Sequence, residues 1–341
     1  MTAPAPEWRS WHLHVASRRP QVLDDVVTTV LPAALERASR SPDASTPPRP
    51  WFFIRYWQGG PHIRLRIADL DDHQATDIEA VLAERLDRVN AAIPPEDQLT
   101  EEAYRRSAAP IAALGEHGAA LPLGRLMEAR PHRAVYEPEY ERYGGRELMQ
   151  YSEDLFHASS VVCLRSCAAR PAAAHAFLDG LELLAAALTA WPDQTDLLRS
   201  QQAGWRDFLS TGRGGPVLDW TEIDRAIRAD AVRLAAAAPG LRRLAAAEPS
   251  RWSAWTKRLR AATDGWRTAL GPDRARQILG SHLHMAHNRL GLSPLREAQL
   301  SALLLELDVP GPRSLTTAPR TTAVPARRAA EEEQRGTTDD S

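Results

Sequence analysis

The sequence predicts an α+β protein: a small N-terminal split βαβ sheet of the ferredoxin-like kind, packed with a large and mainly helical C-terminal portion. Three observations carry this prediction. Period-two runs of aromatic and branched residues are confined to the N-terminal part of the chain. The order read there is strand, helix, strand, strand, helix, which one more strand would complete. From Gly145 to about Leu307, apolar residues recur at helical spacing almost without interruption.

Taken in order, WHLHVAS (residues 11–17) alternates Trp11, Leu13 and Val15 against His12 and His14, and reads as a strand. Val22, Val26, Val30, Leu31 and Leu35 then mark a helix from Arg19 to about Ser39, and a Ser/Pro-rich loop runs from Ser41 to Pro50. WFFIRYW and HIRLRI flank Gln58–Gly59–Gly60–Pro61, the signature of a β-hairpin. In its second strand His62, Arg64 and Arg66 share one face and Ile63, Leu65 and Ile67 the other. Asp71 to Ile93 carries Ile78, Val81, Leu82, Leu86 and Val89 on one helical face. The last strand is expected at Arg133–Tyr136 in preference to Gln98–Ser107. A helix starts after Gly144–Gly145, and apolar stretches follow at 172–191, 197–209, 221–246, 251–270 and 273–291. The tryptophans among them (Trp191, Trp205, Trp220, Trp252, Trp255, Trp266) are expected to anchor helix packing. The expected organisation is a sheet part over 8–137, a helical part over 138–308, and a disordered tail over 309–341 rich in Pro, Thr, Arg and Glu.

The 341 residues are 43% hydrophobic, enough for a sizeable core, and the formal charge of −2 argues against a general polyanion or membrane-surface binder. Lys257 is the only lysine, so nearly all basic charge is arginine. Cys163 and Cys167, the only cysteines, fit reduced, half-buried positions on a helix better than a disulfide framework. With no 18-residue apolar run and no basic-then-apolar leader, a cytoplasmic protein without membrane partners is expected.

Three groups can carry chemistry. Arg64 and Arg66, with His62 on the same strand face and Arg55 on the preceding strand, offer planar forks that suit carboxylates or phosphates, or else form a solvated edge. Arg142 sits between aromatic neighbours just before Gly144–Gly145. In SHLHMAHNRLG, His284, His287 and Asn288 share one helix face, where a histidine suits proton transfer better than metal binding because no third ligand is placed. No metal set and no cofactor motif is expected. Phosphate loops, dinucleotide fingerprints and nucleophile elbows are missing from the sequence.

FFIRYWQGGPHIRLRI, YERYGG with ELMQYSEDLF, and SHLHMAHNRLG, in this order, resemble the C-terminal elimination domain of class I lanthipeptide dehydratases, in its stand-alone thiopeptide-type bacteriocin biosynthesis form. The resemblance runs from about Trp11 to Asp308. It implies a lyase that expels glutamate from glutamylated Ser or Thr of a ribosomally made precursor peptide, leaving dehydroalanine or dehydrobutyrine. It implies a separate tRNA-dependent glutamylating partner protein, no direct nucleic-acid binding and no cofactor, with homodimer formation left open. The catalytic residues it implies are Arg64, Arg66, Arg142 and His284, with Arg55, His62, Tyr143, His287 and Asn288 as substrate-binding neighbours. One departure is a histidine at 287 where the family pattern has one at 286. A second branch of the same family, the pyridine synthases, joins two dehydroalanines by formal [4+2] cycloaddition and releases the leader peptide. A silent peptide- or partner-binding scaffold is the third alternative.

Overall fold

Aromatic and branched residues suit a pleated, half-buried surface and form β1 (Trp8–His14), β2 (Trp51–Tyr56) and β3 (His62–Ala68), while β4 (Pro131–Ala134) is held by its pairing with β1, giving four strands among the described residues. The computed structural model describes residues 6–39, 48–114, 121–169, 173–210 and 218–310. The strands form one sheet in the order β2-β3-β1-β4, every neighbouring pair antiparallel. Register places Leu13 opposite Ile63 and Trp11 opposite Leu65, so both strands commit their apolar residues to one face. Three helices cover that face: α1 (Pro20–Asp25) and α2 (Leu31–Ser39), joined by the π-helical turn Val26–Val30, and α3 (Asp72–Ala91). The resulting core contains Trp11, Leu13, Phe53, Ile63 and Leu65 against Val27, Leu31, Ile78 and Leu82. Burying each such side chain stabilises the fold by roughly 1.5–3 kcal/mol. A capping box between Asp71 and Gln74 fixes the start of α3.

The hairpin turn is built on Gly59 (φ 76°) and Gly60 (φ 103°), both left-handed. A Cβ on Gly60 would meet Leu126 Cδ1 at 2.7 Å, so the turn also needs the space. Two strand boundaries shift, β1 spanning Trp8–His14 where residues 11–17 were expected, and the less favoured candidate for the last strand is not a strand. Glu101–Leu114 is a helix, α4, and Gln98 contributes only an isolated bridge to Ser17. The edge strand is Pro131–Ala134, two residues earlier than expected, set by its pairing with Ser10–Leu13.

Beyond Gly145 the chain is helical: α5 (Met149–Ala169), α6 (Ala173–Ala187), α7 (Gln194–Ser210), α8 (Trp220–Leu234), α9 (Ala238–Ala245), α10 (Ser253–Leu270), α11 (Pro272–Arg289) and α12 (Pro294–Glu306). The apolar stretch 221–246 divides into α8 and α9 because Ala235–Ala237 tightens into a 3₁₀ turn just before Pro239. Trp252, Trp255 and Trp266 are fully buried with Leu184, Leu259, Leu283 and Leu300 in a second core. Val309 packs into it as well, although the expected tail began there. The rest of that tail, from 311, lies outside the described residues. No helix among the described residues is long and apolar enough to cross a membrane.

One contact set positions everything that follows. The amide and carbonyl groups on the outer side of β2 face no further strand among the described residues. They meet side chains of α5 and α11 instead. His157 Nδ1 donates to the Trp51 carbonyl (2.9 Å), Phe53 N donates to Ser160 Oγ (3.2 Å), and the Asn288 side chain accepts from Arg55 N (2.9 Å) and donates to Arg55 O (3.0 Å). The helical part is thereby keyed to the sheet at alternate residues.

Candidate functional site

The cleft that α11 opens on its outer side brings Arg142 and His284 together. Its volume is about 830 Å³, and Gln201, Trp205, Arg276, Gly280 and Ser281 complete its walls. Arg142 is held from two sides, donating from Nε to Ser281 Oγ (3.3 Å) and pairing through Nη1 with Glu139 (3.0 Å). The Gly144–Gly145 turn that follows has φ of 91° and 105°, and Leu270 Cδ1 lies 2.8 Å from where a Cβ on Gly144 would stand. Glycine is therefore required to bend the Arg142 loop against α10 and α11.

His284 and His287, on one face of α11, converge on a carboxylate that the sequence reading missed. Glu297, 2% exposed on α12, accepts from His284 Nδ1 at 2.8 Å and from His287 Nδ1 at 3.2 Å. Burial alone would raise the pKa of Glu297, but the two imidazoles outweigh it and hold the carboxyl below its ordinary value. The Glu297 carboxylate takes the Nδ1 side of His284, orienting the ring with Nε2 on the far side. The Trp205 ring lies 5.0 Å from the His284 ring and walls the same cleft. The only trace of Glu297 in the sequence is its place in the first turn of a helix opened by Ser293–Pro294, which marks a helix start and not a buried acid.

The arginines of β3 occupy the sheet face turned toward the helices. Arg66 is 7% exposed, stacks over Tyr136 (4.9 Å) and Phe52 (5.2 Å), and its Nε has no hydrogen-bond partner among the described residues. Burial lowers its pKa to about 10, and it keeps its charge at neutral pH. Glu139, the partner of Arg142, acts on Arg66 too, and Tyr143 feels Arg142, Arg289 and Arg66 together while burial pushes its hydroxyl up to about 12. Arg66 thus approaches the Arg142 loop from behind without lining the cleft. Arg64 lies further along the strand, 3.5 Å over the Tyr56 ring, with Nε donating to His62 Nε2 at 3.3 Å.

The remaining expected residues serve the framework in this structure. Arg55 is buried, donating to the Arg289 carbonyl (3.1 Å) and pairing with Asp24 (2.8 Å), while both ends of the Asn288 amide are taken by the Arg55 backbone. His62 Nδ1 donates to the Gly60 carbonyl (2.8 Å) and its ring stacks 4.1 Å from His14. Tyr143 packs edge-on to Phe156 and against His282. Arg289, absent from the expected set, is fully buried with Nε donating to Ser160 Oγ (2.9 Å).

Burial sets the titration of this region. It brings His12 down to about 3 and His14 to about 4, with Arg64 adding to the effect on both. Burial also holds His62 and His282 well below the ordinary range. In the unfolded chain these imidazoles take up protons below about pH 6.5, whereas the folded protein keeps them neutral. Their contribution is therefore fully favourable above pH 6.5 and is lost progressively as pH falls toward 4. The urea midpoint in chelator-treated buffer is expected to decline steadily from pH 7 to 5, and more gently in His282→Phe. An unchanged midpoint over that range would contradict the assignment.

Fold and site together define an α+β protein whose cationic sheet abuts a histidine-bearing helical cleft. The chain belongs to the lantibiotic biosynthesis dehydratase C-terminal family, whose model matches residues 8–307. Among solved structures it is similar to the pyridine synthase TbtD from thiomuracin biosynthesis, with TM-score 0.64 and 17% identity over 88% of this chain and 97% of that one. It is also similar to TsrL, with TM-score 0.57 and 15% identity over 90% and 95% of the two chains. The tRNA-dependent lantibiotic dehydratase MibB from Microbispora sp. 107891 aligns at TM-score 0.49 and 23% identity, this chain covering 28% of its length. At these identities the likeness is one of fold. No curated protein matches.

Proposed function

We propose that the chain eliminates glutamate from glutamylated Ser or Thr residues of a ribosomally made precursor peptide. The observation that carries this is the placing of Arg142 and His284 in one cleft, with Glu297 holding the imidazole so that Nε2 is its basic atom. In the reaction His284 Nε2 takes the Cα proton, the Cα–Cβ double bond forms, and the Cβ–O bond breaks to release glutamate as a stable anion. Arg142 stabilises the charge growing on that carboxylate, a fixed-donor effect worth about 2.7–4 kcal/mol for a direct contact, and Arg64 and Arg66 add positive charge from behind the cleft wall. No electron acceptor and no cofactor is needed for the balance. The peptide is made on the ribosome, and the glutamyl ester is added to it by a separate glutamylating partner protein in the cytoplasm. The strand order β2-β3-β1-β4 with intervening helices is read as the split βαβ arrangement, so that residues 8–137 supply the arginine face and 138–308 the proton-transfer helix.

A second reading is cycloaddition of two dehydroalanines, because TbtD, a pyridine synthase, is a chain of similar extent. Incubating the purified protein with a glutamylated precursor, and separately with one already carrying dehydroalanines, distinguishes the two by mass. Loss of glutamate from the first supports elimination. Leader release from the second, with the first untouched, overturns it in favour of cycloaddition, and binding without conversion of either leaves only a scaffold.

A further inference from the structure

Four of the chain's histidines gather on the sheet face away from the α1–α3 core. His12 and His14 are two apart on β1 and must share a face. Register then sets His14 opposite His62 on β3, and His12 opposite His132 on β4. The His14 and His62 rings are 4.1 Å apart, His12 and His62 4.9 Å, and His14 and His132 5.3 Å. One ring nitrogen from each of His12, His14 and His62 lies within 4.8 Å of the other two.

From this placement we infer that His12, His14 and His62 form a three-imidazole site for a divalent ion of the zinc class. This does not rest on the elimination reading. Zinc bound by histidine takes N–Zn bonds of about 2.0–2.1 Å, so tetrahedral ligands stand about 3.3–3.4 Å apart. Side-chain rotation on a fixed sheet closes the remaining gap. Two further observations point the same way. His14 Nδ1 is buried with no hydrogen-bond partner among the described residues, an atom with a lone pair or proton unanswered. His62 gives its Nδ1–H to the Gly60 carbonyl, the outer contact that orients a ligating imidazole and leaves Nε2 as donor atom.

Arg64 is the opposing term. Its Nε donates to His62 Nε2 at 3.3 Å, a long contact that coordination replaces, and the guanidinium already rests on the Tyr56 ring. With that cation alongside, the fourth metal position favours an anionic oxygen over water. His14 and His62 are buried, and His12, half-buried, marks the side from which such a ligand enters.

The test uses the full chain after chelator treatment, titrated with Co²⁺ and followed in the visible region, with Zn²⁺ competing. The expected result is one equivalent bound with the intense bands of tetrahedral Co²⁺, displaced by Zn²⁺. Affinity should fall at least about 100-fold in His14→Phe and in the half-buried His12→Phe, whose melting in metal-free buffer reports whether each still folds. The site should persist in His284→Ala, which breaks up the other histidine pair. Absence of tetrahedral bands, or bands retained in the folded His12→Phe variant, overturns the inference.

Discussion

Replacing His284 by alanine is expected to lower the rate of glutamate elimination about 10²–10⁴-fold, the range for a positioned general base. The glutamylated peptide should accumulate with its affinity little changed, because the cleft keeps Arg142, Trp205 and Ser281. The physical reason lies in the buried carboxylate behind the ring. Glu297 has no other described ion-pair partner than the two histidines, and its charge is tolerated at 2% exposure only because both donate to it. Glu297→Gln should lower kcat with KM nearly unchanged, since an amide can present N–H to Nδ1 and reverse the tautomer. Single-turnover mass measurement on a glutamylated precursor checks both. Wild-type kinetics in His284→Ala would remove the proposed base.

The second large effect is expected at Arg66, where activity and stability should move in opposite directions. Arg66→Met should lower the elimination rate about tenfold, less than the 10²–10³ of a direct donor, because the guanidinium acts from behind the cleft wall. The same substitution should leave the melting temperature unchanged or raised. Arg66 is buried against Phe52 and Tyr136, with Nε unpartnered among the described residues and Arg289 disfavouring its charge from nearby. A methionine of similar length fills that space without the desolvation penalty of a charge. Arg66→Met that melts well below the wild type would make the arginine a structural residue, and the proposed role would fall with it.

Period-two alternation was enough to read β1 to β3 and the two faces of β3, because that sheet has one apolar and one polar side and side-chain period is a property of the backbone. The helices were legible for the same reason, by spacing, while their breaks depended on local turns such as Ala235–Ala237. Arg142 and His284 could be proposed as partners only through the family resemblance, since nothing in their spacing says that a loop at 142 and a helix at 284 share a cleft. Glu297 and Arg289 went unread for a different reason. Each is a charged residue on a helix, and charged helical residues are ordinarily solvated, so burial here is a product of packing between α5, α11 and α12. The histidine group on the sheet went unread because it is assembled from three strands by register, which a single run of residues does not display.

The row of side chains along β2 has a mechanical consequence. A peptide that extended the sheet from that side would have to compete for the backbone groups of Trp51, Phe53 and Arg55, already taken by His157, Ser160 and Asn288. Asn288 and His284 stand one helical turn apart on α11, so prising open this edge would drag the imidazole out of register with Arg142. A strand paired along β2 and these side-chain contacts from α5 and α11 cannot coexist.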